Sequence, residues 1–524
     1  MGLSAVVVDG KSLTIERVVA VARNHANVML SDEALKRVEK CRKTVRKFVD
    51  EGKIVYGITT GFGPMISCVI PAEDAEVLQE NLIRSHASGV GNPLPTEYVR
   101  AMMLVRANVL AMGHSGVRPE VLKLLIEMLN RKIHPVIPEI GSVGASGDLT
   151  QLAHMALTMM GEGFVEYRGK IVKAAEAMKN ENLKPLKLSY KEGLALINGT
   201  SAMTGIAALV VYDLEMLIKN AAIAAALTIE AMRGFIDPFE DFIHNVRPHE
   251  GQREIARYIK TLLDGSKLVR RYEDFIKEVK GSVEKMEEKF QDVYSLRCTP
   301  QVLGASLDAL KFVRSIVETE LNSASDNPLI DADNEKVYHG GNFHGQHISM
   351  AMDFAAIAAT EVGLLSERRL AILLNEMTNR GLPPFLVSSN PGLRCGFMGV
   401  QYVATSLVAE NQGLACPISI KSIPTNAENQ DVVSMGLVSA RRTAQIISNT
   451  RYIIALEMIA ATQGIDLRGG KELLGSGTKI AYEEIRRHVS ALEDDRSLSR
   501  DLEVVSNLIR EGRIVQKIRQ ELGI

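Results

Sequence analysis

Thr200-Ser-Ala-Met-Thr-Gly-Ile-Ala-Ala-Leu-Val-Val-Tyr-Asp-Leu-Glu-Met-Leu-Ile-Lys-Asn-Ala-Ala-Ile-Ala-Ala-Ala-Leu-Thr-Ile-Glu-Ala-Met232 decides the fold. Ala, Leu, Ile and Met dominate it and Pro is absent. Ala has no side-chain entropy to lose in a helix, and unbranched chains lose little. The stretch is therefore one long helix. It is apolar on more than one face, so it must be covered on more than one face. Working outward, residues 301–322, 349–375, 398–412 and 431–463 read the same way, each Ala-rich and free of Pro. Shorter helices are predicted from Pro71 to Ala87, over 97–112 up to Gly113, from Pro119 to about Asn130, and from Leu149 to Met160, closed by Gly161. Charged amphipathic stretches at 31–50, 252–290 and 480–520 belong to the exterior or the ends. Strand-like pieces are confined to 4–8 and 163–173. The expected fold class is all-α: a bundle of long antiparallel helices whose leftover apolar faces meet other subunits.

Composition narrows the function classes. The 61 Lys and Arg against 63 Asp and Glu leave a net charge of −2, which gives no electrostatic reason to bind nucleic acid or an anionic membrane. Cys41, Cys68, Cys298, Cys395 and Cys416 are odd in number and show no CxxC spacing, so neither disulfides nor a zinc site is expected. The N-terminus lacks the pattern of a signal peptide, and apolar stretches read as broken by charges or turns before bilayer length. A reducing cytoplasm is the expected home. Aromatic residues make up 5% of the chain and Trp is absent, which suits helices better than sheets.

One loop stands out chemically. Gly141-Ser-Val-Gly-Ala-Ser-Gly-Asp-Leu149 follows Pro135 and Pro138, which forbid helix, and precedes the helix opened by Asp148. Ser146 sits between small residues at a helix N-terminus, where free amides favour negative charge. A tight bend would let the Gly147 nitrogen attack the Ala145 carbonyl. Loss of two waters would then leave an imidazolone bearing a methylidene, an electrophile that no ordinary side chain supplies. On the tripeptide alone, a small-residue turn is the better reading of the string.

Other polar segments interrupt the helices: Tyr56-Gly-Ile-Thr-Thr-Gly-Phe-Gly63, Asn81 to Gly91 with Ser85-His86, Leu196-Ile-Asn-Gly-Thr200, Asp292-Val-Tyr-Ser-Leu-Arg-Cys298, Asn322 to Leu329, His339-Gly-Gly-Asn-Phe-His-Gly345 and Asn426 to Gly436. Taken singly, each has a bland reading: a packed loop aromatic, a structural ion pair, a helix-end histidine. In this order, around Ala145-Ser146-Gly147, they make the chain resemble the aromatic amino-acid ammonia-lyases and 2,3-aminomutases, from roughly residue 5 to residue 500. These enzymes carry the 4-methylideneimidazole-5-one (MIO) group.

The resemblance implies the following. Ala145, Ser146 and Gly147 form MIO, with no metal and no nucleotide. Tyr56, on a glycine-rich lid loop, removes the β-proton. Asn198 and Phe343 surround the MIO ring, Asn198 helping to hold its oxygen. Arg297 binds the substrate carboxylate as a bidentate pair. Tyr294 and Asn327 complete the carboxylate and amine side, Gln430 and Glu428 lie near the site, and His86 faces the substrate ring. The partners implied are a small amino-acid substrate and further copies of the chain in a homotetramer. Residues 1–199 would form an N-terminal MIO-bearing domain and 200–524 the central bundle with C-terminal helices. The helical lyases of the fumarase type, also tetrameric bundles, are disfavoured, because their Gly-Ser-Ser-x-Met-Pro-x-Lys signature is missing.

Substrate choice turns on the ring pocket. The imidazole of His86 can hydrogen-bond a phenol, whereas plant-type phenylalanine enzymes place apolar residues here. Histidine enzymes resemble Ala-Asn-Gln-Glu-Asp-His-Val-Ser-Met where this chain reads Ala427-Glu-Asn-Gln-Asp-Val-Val-Ser-Met435. The expected reaction is therefore tyrosine to trans-p-coumarate and ammonia. The alternatives are a tyrosine 2,3-aminomutase making β-tyrosine and a histidine ammonia-lyase making urocanate.

Overall fold

The computed structural model describes residues 5–275 and 289–524. The stretch at 200–232 is a single helix, Ser201–Ala231, with every residue buried or half-buried. Its N-terminal turn is capped from far away in sequence: the Asp148 carboxylate accepts from Met203 N at 2.7 Å, taking one of the amides a helix start leaves unpaired. The other long helices are Thr299–Leu321, Gln346–Leu374, Met398–Leu414 and Gly436–Leu467. Shorter ones run Asp32–Asp50, Ala75–His86, Thr96–Ala111, Pro119–Asn130 and Leu149–Met159. The all-α expectation holds.

Three expectations need correction. First, the last long helix begins at Gly436, not at 431. Met435 is left-handed (φ 56°), and its amide donates to Val143 O at 2.8 Å while Ser434 Oγ donates to Gly144 O at 3.0 Å. Pairing with a distant loop takes these residues out of the helix. Second, short strands occur beyond the two expected places. Ala5–Val8 pairs in parallel with Asn27–Leu30, while Val90–Pro93 pairs antiparallel with Pro138–Ile140 and Leu329–Asp331 antiparallel with Lys336–Tyr338. Pieces of two to four residues are too short to show an alternating pattern. The expected 163–173 piece is a hairpin of Phe164–Tyr167 and Lys170–Lys173, turning through left-handed Arg168 and Gly169 and extended by His134–Pro135. Third, Ser201–Ala231 and Gln346–Leu374 do have the length and hydropathy to span a bilayer. Their most apolar windows are 78% and 72% buried inside the protein, which is how a core helix passes the same test.

The charged stretches also form helices, including Glu250–Leu262, Ser476–Arg486, Ser499–Arg510 and Arg513–Leu522. Part of the 252–290 stretch, residues 276–288, lies outside the described residues.

The chain forms two compact units. One comprises Met1–Tyr212, Val313–Asp353 and Pro417–Arg442; the other comprises Asp213–Phe312, Phe354–Cys416 and Thr443–Ile524. The first therefore includes residues on both sides of the 199/200 boundary and draws in two later segments. In the second, helices pack in both senses. Thr450 Oγ1 bonds Ala359 O, and Ser366 bonds Glu457, so Gln346–Leu374 and Gly436–Leu467 run parallel. Ser306 against Ala358 and Phe312 against Phe354 make Thr299–Leu321 antiparallel to Gln346–Leu374. Arg369 and Glu457 form an ion pair with no exposed surface, and Thr228 and Ser366 also donate to that carboxylate.

Candidate active site

The Ser146 loop is held by backbone contacts on two sides. Gly147 bridges Gly199: Gly199 N donates to Ser146 O at 3.1 Å, and Asp148 N donates to Gly199 O at 2.8 Å. Gly147 is left-handed (φ 72°), and a Cβ there would sit 2.0 Å from Gly199 O. Only glycine fits this conformation and this approach. Ser142 Oγ donates to Gly147 O at 3.2 Å and to Asp148 Oδ1 at 3.0 Å. Burial pushes the Asp148 carboxyl up to about 7, against the hydrogen bonds from Met203 and Ser142. The loop is thus bent by Gly147, pinned to the Asn198-Gly199 turn and anchored by a buried carboxyl.

Two cavities meet at Ser146, both within the first unit. One, about 460 Å³, is lined by Leu78, Asn81, Leu82, Ser85, His86 and Thr150 among others. The second, about 360 Å³, is lined by Tyr56, Asn198, Asn327, Phe343, His344 and Asp431 among others. Gly63, Ala145, Ser146, Asn426 and Gln430 belong to both walls. Gln430 Nε2 donates to Ser146 Oγ at 3.2 Å, and its Oε1 accepts from Thr425 Oγ1 at 2.9 Å. Asn426, Ala427 and Glu428 are consecutive left-handed residues, and the Thr425–Gln430 bridge closes the tight loop they make. Tyr56 OH accepts from Gly63 N at 3.1 Å, and its ring stands edge-on to Phe62.

His86 ends the Ala75–His86 helix. Its Nδ1 lies 2.9 Å from Leu82 O. A carbonyl only accepts, so Nδ1 carries the proton and, in the neutral ring, Nε2 is an acceptor. Asn198 follows the Glu192–Ile197 helix. Its Nδ2 donates to Asp326 Oδ1 at 3.1 Å and to Asn327 O at 3.0 Å, so both amide protons are taken. Asn198 thus lines the cavity at Ser146 with its side-chain N–H groups directed at Asp326 and Asn327. Asn327 Oδ1 accepts from Gly340 N at 2.8 Å.

The structure thus gathers Tyr56, His86, Ala145, Ser146, Gly147, Asn198, Asn327, Phe343 and Gln430 around one pair of cavities. Glu428 is exposed and lines neither. Tyr294 and Arg297 belong to the second unit. There the Arg297 guanidinium lies over the Tyr294 ring at 4.7 Å, and Arg297 lines a separate cavity of about 500 Å³ with Phe235, Tyr272, Phe290 and Cys298. Tyr294 is 71% exposed, and Arg297 Nε is buried without a hydrogen-bond partner. Sequence reasoning passed over Asp431, His344, Lys191 and Asp326. Asp431, His344 and Asp326 stood inside segments already marked as polar; Lys191 did not, and it is far from Asp326 in sequence, so nothing local announces their pairing.

Residues 13–487 match the family described as aromatic amino acid lyase. The chain is similar to the histidine ammonia-lyase of Alkaliphilus oremlandii, 47% identical over 522 residues and covering 100% of both chains. Among solved structures it is similar to tyrosine aminomutase from Streptomyces globisporus, with 43% identity, a TM-score of 0.96 and 99% of each chain covered. It is also similar to histidine ammonia-lyase from Trypanosoma cruzi, with 38% identity, a TM-score of 0.89 and coverage of 98% of this chain and 95% of that one. The expected preference for tyrosine, as lyase or aminomutase, is overturned: eight relatives at 44–47% identity, each matched over nearly the whole chain, are named histidine ammonia-lyase. The expectation rested on Ser85-His86, and that pair does not select a phenol: an imidazole nitrogen can accept from an imidazole N–H as readily as from a phenol O–H.

Proposed function

The chain belongs to the aromatic amino acid lyases, and we propose that it eliminates ammonia from L-histidine to give urocanate. The observation that carries an elimination is the convergence of Tyr56, Ser146, Asn198, Phe343 and Gln430 on one cavity wall. The choice of histidine rests on the full-length relatives and on the acceptor that His86 presents.

Ala145, Ser146 and Gly147 fit the formation of MIO. The loop is bent at a left-handed glycine, closed off from any Cβ at Gly147, and turns Ser146 toward open space. When formed, that group supplies an electrophile that turns the amine into a better leaving group. The remaining work belongs to the chain's own side chains. The imidazole occupies the larger cavity, against Leu78, Leu82 and His86. The α- and β-carbons lie at Ser146, where Tyr56 takes the β-proton. The C–H electron pair becomes the double bond, and the C–N pair leaves with nitrogen. Gln430, whose Nε2 holds the Ser146 hydroxyl until that oxygen leaves as water, lines the site beside the ring, and Phe343 keeps water from it.

The carboxylate partner, Arg297, is contributed in this reading by another copy of the chain. Support comes from the exposed apolar side chains of the second unit, among them Phe354, Ile357, Tyr402 and Tyr294, which a homotetramer would cover. All five cysteines are unpaired, in keeping with a reducing cytoplasm.

The test is a product assay. Purified protein is given histidine, tyrosine and phenylalanine in turn, and arylacrylates and ammonia are quantified. Urocanate should form fastest. Faster release of coumarate or cinnamate would overturn the substrate assignment, and no release from any of the three would overturn the activity.

A further inference from the structure

Asn198 lines the cavity at Ser146 with its amide orientation settled by its partners. Nδ2 faces a carboxylate oxygen, Asp326 Oδ1, and a carbonyl oxygen, Asn327 O. Both only accept, so the atom facing them is the nitrogen. No protein donor reaches Asn198 Oδ1 among the described residues. The wall therefore offers an acceptor at this point.

What holds that orientation lies one layer back. Asp326 is buried, and its Oδ1 also accepts from Asn327 N at 2.7 Å. Its Oδ2 accepts from Lys191 Nζ at 2.9 Å, and neither side chain of this pair has exposed surface. A lone buried carboxylate would take up a proton and become a donor on one oxygen. Here Lys191 donates to Oδ2 and the Asn327 amide to Oδ1, so the oxygen that faces Asn198 is an acceptor. Burial loosens the Lys191 proton, while the Asp326 charge holds it. Lys191 and Asn198 flank the same short helix, Glu192–Ile197, so one element carries both the counter-charge and the group it orients.

We propose that Lys191 and Asp326 are positioning residues that lock the Asn198 amide with its oxygen toward the cavity, so that the site receives the substrate's ammonium there as a donor. The ligand used to test this rests on the histidine assignment above.

The test separates ammonium recognition from everything else the site does. In full-length Ser146→Ala protein, which cannot turn substrate over, calorimetry compares L-histidine with 3-(imidazol-4-yl)propionate, which lacks only the amine. Adding Asp326→Asn should weaken histidine about tenfold, the loss of a hydrogen bond to a charged group, and leave the amine-free acid unchanged. Adding Lys191→Met with Asp326→Asn should restore the preference, because the new amide can offer its oxygen to Asn198 once the lysine is gone. Equal loss for both ligands would mean general damage to the site and would overturn the proposal; so would no loss for either. If the single variant does not fold, the double variant decides: retained preference supports the lock and lost preference refutes it. Should the product assay identify another aromatic amino acid, the same comparison is made with it and its deaminated acid, so the two assignments fail separately.

Discussion

At Gly147 a methyl group has nowhere to go. It would stand 2.0 Å from Gly199 O on a left-handed backbone. Gly147→Ala should therefore open the bend, and the variant should keep its full sequence mass. Wild-type protein should weigh less than its sequence by two waters, and Ser146→Ala should lack that deficit and all turnover. Intact-mass spectrometry checks each; an active wild type at full sequence mass would refute ring formation. His86 makes a graded prediction. His86→Phe removes the Nε2 acceptor but keeps a ring in the cavity, so histidine turnover should fall roughly tenfold or more, as expected when a buried polar group of the substrate loses its partner. Steady-state kinetics showing unchanged kcat/KM would mean that His86 does not read the ring. At this scale the sequence was eloquent about Ser146, Tyr56 and His86, whose neighbours form recognisable strings. It was silent about the direction in which Asn198 presents its amide, because Asp326 lies far away in the chain.

At the scale of elements, the long helices were legible and their edges were not. Composition alone marks Ser201–Ala231 as buried all round. The start of Gly436–Leu467 depended on the pairing of Met435 and Ser434 with Val143 and Gly144, which no helix propensity encodes. Buried polar groups between helices were equally hidden. Glu457 receives Arg369, Thr228 and Ser366 at a place with no exposed surface. Glu457→Leu would leave the guanidinium buried and unpaired, at a cost of about 3–5 kcal/mol. Chemical denaturation should show a lowered midpoint, and Arg369→Met combined with Glu457→Leu should recover much of it. A single variant as stable as wild type would show that the pair is dispensable.

For the whole molecule, pH reports on two buried carboxyls. Burial pushes both Asp148 and Glu230 up to about 7, from ordinary values of 3.8 and 4.5. The folded protein keeps protons there that the unfolded chain releases. Their contribution to stability is complete below about pH 4 and declines as pH rises toward about 7, with no further loss above that. Denaturation midpoints should fall between pH 5 and pH 7.5 by more in wild type than in Asp148→Asn with Glu230→Gln; parallel curves would remove these groups from the account. Assembly gives the other prediction at this scale: active protein should sediment as a tetramer, and a fully active monomer would refute the sharing of Arg297 between copies. The amino-acid sequence by itself determined the helical class and, through the order of its short motifs around Ala145-Ser146-Gly147, the resemblance to the family, because Ala-rich composition and short motifs act locally. Tertiary structure alone decided where helices begin, which way amides face, and that Tyr294 and Arg297 belong to a different compact unit from Ser146. Those outcomes depend on contacts between residues distant in the chain, which are made only when the buried polar groups find their partners.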